Sequence, residues 1–280
     1  MRIVKAQDVQ MGPVTLKQPL PIGVIEQIDP FLLLHHVGPE HQEPHQRNIM
    51  DIGGHPHRGF EPVSFIFKGA VHHRDSRDND SVIHAGGVQW MTAGRGIIHS
   101  ESAAKSFVEK GGELELIQLW VNLPADQKMV QPHYQGFQKE QIPVFEDQEG
   151  KVRVNVVAGQ FNGLTGPVDS LTGARALTLE LKAGGKVHLE ESAERNAILY
   201  QLHGLARAND IGMGDAKMAI FRQDGDRIEI EAKTDSTLLY VSGQPIGEEV
   251  TQYGPFVMNT QTEVLEAMRD FQMGKMGVLI

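Results

Sequence analysis

Two short stretches of this chain carry metal-binding side chains at the spacing of a β-strand. In GGHPHRGFE (residues 53–61), His55 and His57 flank Pro56. In WMTAGRGIIHSE (90–101), His99 and Glu101 repeat that i, i+2 spacing after the turn Gly94-Arg95-Gly96. Residues two apart on a strand point to the same face, roughly 6–7 Å apart, so each pair can aim two ligand atoms at one ion. Pro56 cannot donate to a ladder, which puts the first pair at a strand start or a sheet edge. Facing each other inside a barrel, the two strands would offer three neutral imidazoles and one carboxylate. That mixed nitrogen and oxygen set suits one divalent ion of iron, manganese, nickel, copper or zinc. A structural zinc site would draw on cysteine, of which the chain has none. Four protein ligands in an octahedral shell leave two positions open, as a reactive centre needs.

Glu61 competes with Glu101. It follows His57 by four residues and shares its face if the strand stays straight, which Gly59 and Pro62 oppose. Glu101 is the preferred ligand and Glu61 the alternate. The remaining histidines have plainer readings. His72-His73, beside the turn RDSRDND, read as solvent-facing. His35-His36, after FLLL, line the mouth of the first barrel or are ordinary buried residues. Arg58 and Arg95 read as donors to backbone carbonyls, and Trp90 and Met91 as core.

The elements that must position these residues are strands. PVSFIFKGAV (62–71), SVIHAGGVQWM (81–91), ELIQLWVNL (115–123), RALTLELKA, AILYQLHGLA, DRIEIEA and TLLYVSG are apolar runs bounded by glycine, aspartate, asparagine and proline. Such spacing predicts antiparallel sandwiches or barrels. In ELIQLWVNL, the face Ile117, Leu119, Val121, Leu123 is expected to meet the core. A single helix is predicted in NTQTEVLEAMRDFQMGK, where Thr260 and Glu263 have capping-box spacing, Val264, Leu265, Met268 and Phe271 form the apolar stripe, and Gly274 ends it.

The polar segment 133–154 reads as a connector, giving domains 1–140 and 141–280. SFIFKGAVHHRD (64–75) and ILYQLHGLARAND (198–210) resemble each other around Gly69 and Gly204. That suggests two similar halves, the second without metal ligands, since 11 of the 13 histidines lie at or before His133. The net charge of −10 argues against direct nucleic-acid binding through the overall field. No run is long and apolar enough to predict a membrane span. The start MRIVKAQDVQ lacks a secretory signal, and a cytoplasmic location is the default expectation.

DPFLLLHHVGP, HPHRGFE, HRDS, VQWMTAGRGIIHSE, IQLWVNLP and YGPFVMNT resemble, in order, the motifs of the pirins, members of the cupin superfamily. The resemblance covers about residues 29–270. It implies an all-β bicupin: two tandem antiparallel β-barrels with a short C-terminal helix, and metal in the N-terminal barrel only. It also implies ligation by His55, His57, His99 and Glu101, with Fe(II) as the common ion. RDND after HRDS, where glycine is common, and Pro62, where threonine is frequent, depart from the family pattern and bear on pocket shape. Some pirins resemble quercetinases, which implies a flavonol and O₂ as substrates and Glu101 as general base. Others are described as metal-dependent, redox-sensitive regulators, which implies instead a protein partner.

Overall fold

The computed structural model describes residues 1–12, 14–45 and 50–279. Its class is the all-β one expected, with antiparallel strands throughout and a helix near the C-terminus. Two compact units divide it. One comprises Met1–Gln7, Lys17–Pro30 and Glu140–Pro245; the other, Asp8–Leu16, Phe31–Lys139 and Ile246–Ile280. The two units meet in sequence at Lys139/Glu140, and each terminal segment groups with the unit built mainly from the other half of the chain. Met1–Gln7 groups with the later unit because Arg2–Lys5 pairs with Lys217–Ile220. Residues 246–280 group with the earlier one, where the backbone of Val257 bonds to that of Arg58.

In the earlier unit, one sheet runs in the order His133–Phe137, Val88–Thr92, Phe60–Lys68, Gly112–Asn122, Phe31–Gln42 and continues beyond. A second sheet runs Asp51–His57, Ile97–Ala103, Ala70–Asp75, Asp80–His84. The later unit repeats both orders. Lys217–Ile220, Asn196–His203, Ser236–Gly243 and Arg175–Leu181 follow one another in its large sheet, and Lys186–Glu190, Arg227–Ala232, Ala206–Ala208 and Ile211–Met213 in its small one. The glycines that suggested a repeat, Gly69 and Gly204, occupy the same turn between consecutive strands, at φ +79 and +88, a conformation L side chains avoid.

The two interiors differ in polarity. Gln89, Ser64, Gln118 and His35 are consecutive cross-strand partners in the earlier unit. The same row in the later unit is Ala219, Leu199, Tyr240 and Leu177, all part of one apolar core cluster. Each large apolar side chain so buried contributes about 1.5–3 kcal/mol. The later unit is thus built as a packed scaffold, and the earlier one keeps a polar interior.

Several local expectations are corrected. SVIHAGGVQWM is two strands, Asp80–His84 and Val88–Thr92, with a turn between them. The supposed connector holds the strand His133–Phe137, paired with Val88–Thr92, and the start of Val152–Ala158. Both faces of Gly112–Asn122 are buried, because Leu116, Trp120 and Asn122 turn inward as firmly as their neighbours. A short helix, Lys105–Lys110, was not foreseen. The C-terminal helix spans Gln261–Gln272 with its capping box formed. It buries Val264 and Ala267, while Leu265 and Phe271 stay exposed.

Candidate metal centre

Two residues past the strand Asp51–His57, Gly59 sits at φ +89; a Cβ there would lie 1.9 Å from the carbonyl oxygen of Val257. Only glycine fits. The kink sends Phe60–Lys68 into the other sheet, so the parity that would have put Glu61 beside His57 is broken. Glu61 is buried and accepts a hydrogen bond from Thr92 Oγ1 at 2.7 Å. It belongs to neither group of metal-capable side chains found among the described residues.

Ile97–Ala103 pairs antiparallel with Asp51–His57, so that Ile97 opposes His57 and His99 opposes His55. The two strands are thus hydrogen-bonded neighbours in one sheet, not the facing strands expected, and it is their register that sets His55 beside His99. Ring centroids are 4.3 Å apart for His55 and His99, and 4.8 Å for both His57–His99 and His55–His57. Ligand nitrogens of the three lie within 4.8 Å of one another. A register shift between His99 and Glu101 re-aims the carboxylate. Glu101 consequently falls in a second group, with His73 and His99, and His99 is common to both.

Burial, reinforced by the neighbouring imidazoles, pushes His57 and His99 well below the ordinary histidine value. Both rings are thus neutral, the form that ligates metals. His55 Nδ1 donates to the Gly53 carbonyl at 2.9 Å, leaving Nε2 as its ligand atom. His57 Nδ1 and His99 Nε2 are buried with no hydrogen-bond partner. Such orphaned nitrogens are costly, and a cation between the rings would satisfy both. The donor set fits a divalent ion.

Glu101 is held by the polar row of the facing sheet. Ser64 Oγ donates to Oε1 at 3.1 Å, Gln89 Nε2 donates to the same oxygen, and Gln118 Nε2 donates to Oε2 at 3.0 Å. Phe60 and Trp120 pack against His57, with centroids 5.0 and 5.4 Å away. Arg58 donates to the Arg95 carbonyl at 2.6 Å and to Asp270 Oδ2 at 3.0 Å. That is the carbonyl-satisfying role expected of it. Trp90 and Met91 are buried core. His36 is a buried partner of Glu115 at 2.9 Å, whereas burial draws its neighbour His35 down to about 4.

The reading of His72-His73 as solvent-facing holds only for His72, which pairs with Asp80. His73 is buried, stacks on Tyr134 with centroids 4.3 Å apart and planes 15° apart, and bonds Asp75 through Nε2 at 3.1 Å. Burial favours the neutral form of Asp75, but hydrogen bonds from His73, Asn79 and the Arg77 N–H outweigh it and hold the carboxyl below its usual range. The missed signal was a third i, i+2 pair: HRD stands beside HPH and HSE.

Comparison with known proteins finds relatives of both the sequence and the fold. The family model for Pirin matches residues 14–121, and that for the Pirin C-terminal cupin domain matches 176–277. A pirin-like protein of Caulobacter vibrioides is 38% identical over 98% of this chain and 98% of its own. A crystal structure of quercetin 2,3-dioxygenase from Acinetobacter baumannii is 32% identical with TM-score 0.93, covering 100% of this chain and 98% of that one. A bacterial pirin from Escherichia coli, solved with nickel(II), shares the fold at 19% identity and TM-score 0.65, over 87% of this chain and 99% of that one.

Proposed function

The chain belongs to the pirin family, and from that premise we propose that its earlier unit holds a metal-dependent dioxygenase site of the quercetin 2,3-dioxygenase type. The observation that carries the reading is the convergence of three imidazoles, two with orphaned buried nitrogens, beside a carboxylate held by three donors. His55, His57 and His99 would hold the ion, with Glu101 as the fourth ligand. A divalent ion there, iron(II) by family resemblance and nickel(II) by the example of the bacterial pirin, supplies Lewis acidity and an electron path between substrate and O₂.

The rest follows from the chain's own residues. Glu101 accepts the 3-hydroxyl proton of a flavonol, as a positioned carboxylate can. Ser64, Gln89 and Gln118 keep that carboxylate from turning away. Phe60 and Trp120 supply an apolar wall that suits an aromatic substrate. The net reaction joins both atoms of O₂ to the flavonol, opens its central ring and releases carbon monoxide.

The test is quercetin loss followed with oxygen uptake, on protein of measured metal content. The reading predicts O₂-dependent turnover, lowered in Glu101→Gln about 10²–10⁴-fold per bound ion. Metal-replete wild type that turns over no flavonol under any metal loading would contradict it. That result would leave the regulatory alternative, a metal-sensing protein read by a protein partner.

A further inference from the structure

We propose that His73 and Asp75 are positioning residues that fix the tautomer of His99, so that its metal-facing nitrogen is bare before any ion arrives. The inference rests on the metal-site reading above, but uses groups outside its ligand set.

Ala70–Asp75 is the other neighbour of Ile97–Ala103, and its register sets Asp75 opposite His99 and His73 opposite Glu101. The third i, i+2 pair thus lies on the strand adjacent to the second.

The proton chain is determined from its buried end. Asp75 Oδ1 accepts from the Arg77 N–H at 2.8 Å, the Asn79 N–H at 3.2 Å and Asn79 Nδ2 at 3.1 Å, and Oδ2 accepts from Asn79 Nδ2 at 2.9 Å. A carboxylate so surrounded by donors acts as acceptor only, so the 3.1 Å contact to His73 requires the hydrogen on His73 Nε2. In the neutral ring, His73 Nδ1 then presents a lone pair. It faces His99 Nδ1 at 3.5 Å, a long contact that is attractive only if His99 carries its hydrogen on Nδ1. His99 Nε2 is left bare, and it is one of the two orphaned nitrogens of the three-imidazole group. Stacking on Tyr134, whose hydroxyl meets Ser81 Oγ at 2.6 Å, keeps the His73 ring from rotating out of line. A partner for the non-ligating nitrogen of a ligand histidine sets ring orientation and tautomer, and losing it typically weakens metal binding about 10–100-fold.

The experiment uses ¹⁵N-labelled, metal-free full chain without a histidine tag. Long-range ¹H–¹⁵N correlations at neutral pH report which nitrogen of His99 is protonated, and chelator competition reports Fe(II) affinity. Wild type is expected to show His99 protonated at Nδ1. His73→Phe keeps a ring to stack on Tyr134 but offers no acceptor. It should lose the Nδ1–H preference and bind Fe(II) about 10–100-fold more weakly. His73→Asn keeps an acceptor near the Nδ1 position and should restore both the tautomer and most of the affinity; a purely structural role would not separate the two variants.

Protonation of His99 at Nε2 in metal-free wild type would overturn the proposal, and this reading decides the matter even if His73→Phe fails to fold. A folded His73→Phe with wild-type affinity would also overturn it. So would loss of metal in both variants with the tautomer unchanged, which would make His73 a ligand. Wild type that binds no Fe(II) would sink the metal-site reading instead, while the tautomer would still report on the relay.

Discussion

Gln118 donates to Glu101 Oε2 at 3.0 Å, while its register partner Ser64 donates to Oε1 of the same carboxylate at 3.1 Å. The candidate base is thus held from the opposite sheet, by side chains that share one row across three strands. Replacing Gln118 by Leu removes one donor from a buried carboxylate. The expected cost is about 1–3 kcal/mol, read from urea unfolding; a change below about 0.5 kcal/mol would mean that the contact holds nothing.

Gly59 is the hinge between the histidine pair and the next sheet. Gly59→Ala meets the Val257 carbonyl and a positive φ together. Strain of this kind costs on the order of 1–3 kcal/mol or more. Chemical denaturation should show that loss, and metal affinity should fall with it, because His57 is two residues away.

His35 ends the polar row beside Gln118, and burial lowers it from 6.5 to about 4. The unfolded chain therefore takes up this proton first as pH falls. The contribution of His35 is fully present above about pH 6.5 and is lost progressively towards pH 4. Metal-free protein should lose stability across that window, and His35→Gln should flatten the slope. Equal slopes in the two proteins would refute this assignment.

Lys128 is buried, and its ammonium donates to the Gly59 carbonyl, Asn122 Oδ1 and the Val257 carbonyl at 2.8, 2.6 and 3.1 Å. Burial draws it from 10.5 to about 8, so it still carries its proton at neutral pH. Between about 8 and 10.5 the unfolded chain holds more protons than the folded one, and stability attributable to Lys128 rises with pH. The rise is expected to approach roughly 3 kcal/mol relative to Lys128→Met. Thermal melting of both proteins from pH 7.5 to 10.5 measures it, and a falling difference would contradict the sign.

What was legible in the chain was local. The i, i+2 pairs at His55, His57 and at His99, Glu101 need only strand geometry, and the apolar runs with their punctuation were enough for an all-β class. The capping box at Thr260 and Glu263 is a four-residue signal and formed as read. The remainder depends on which strands pair. In HHRD, alternation says that one histidine faces in, but not which one, until Ala70–Asp75 is known to lie beside Ile97–Ala103. Gln89, Ser64, Gln118 and His35 come from four separate strands and carry no local pattern. Their apolar counterparts in the later unit look like any other core residues. The grouping of each terminus with the other half likewise has no compositional mark, since it rests on pairing across the full chain.

The most direct test of the central claim is bound metal, measured by mass spectrometry on tag-free protein prepared anaerobically with iron in excess. Three converging imidazoles predict about one divalent ion per chain, lost in His57→Ala. Metal-free wild type under those conditions, or full occupancy retained in His57→Ala, would contradict the site itself.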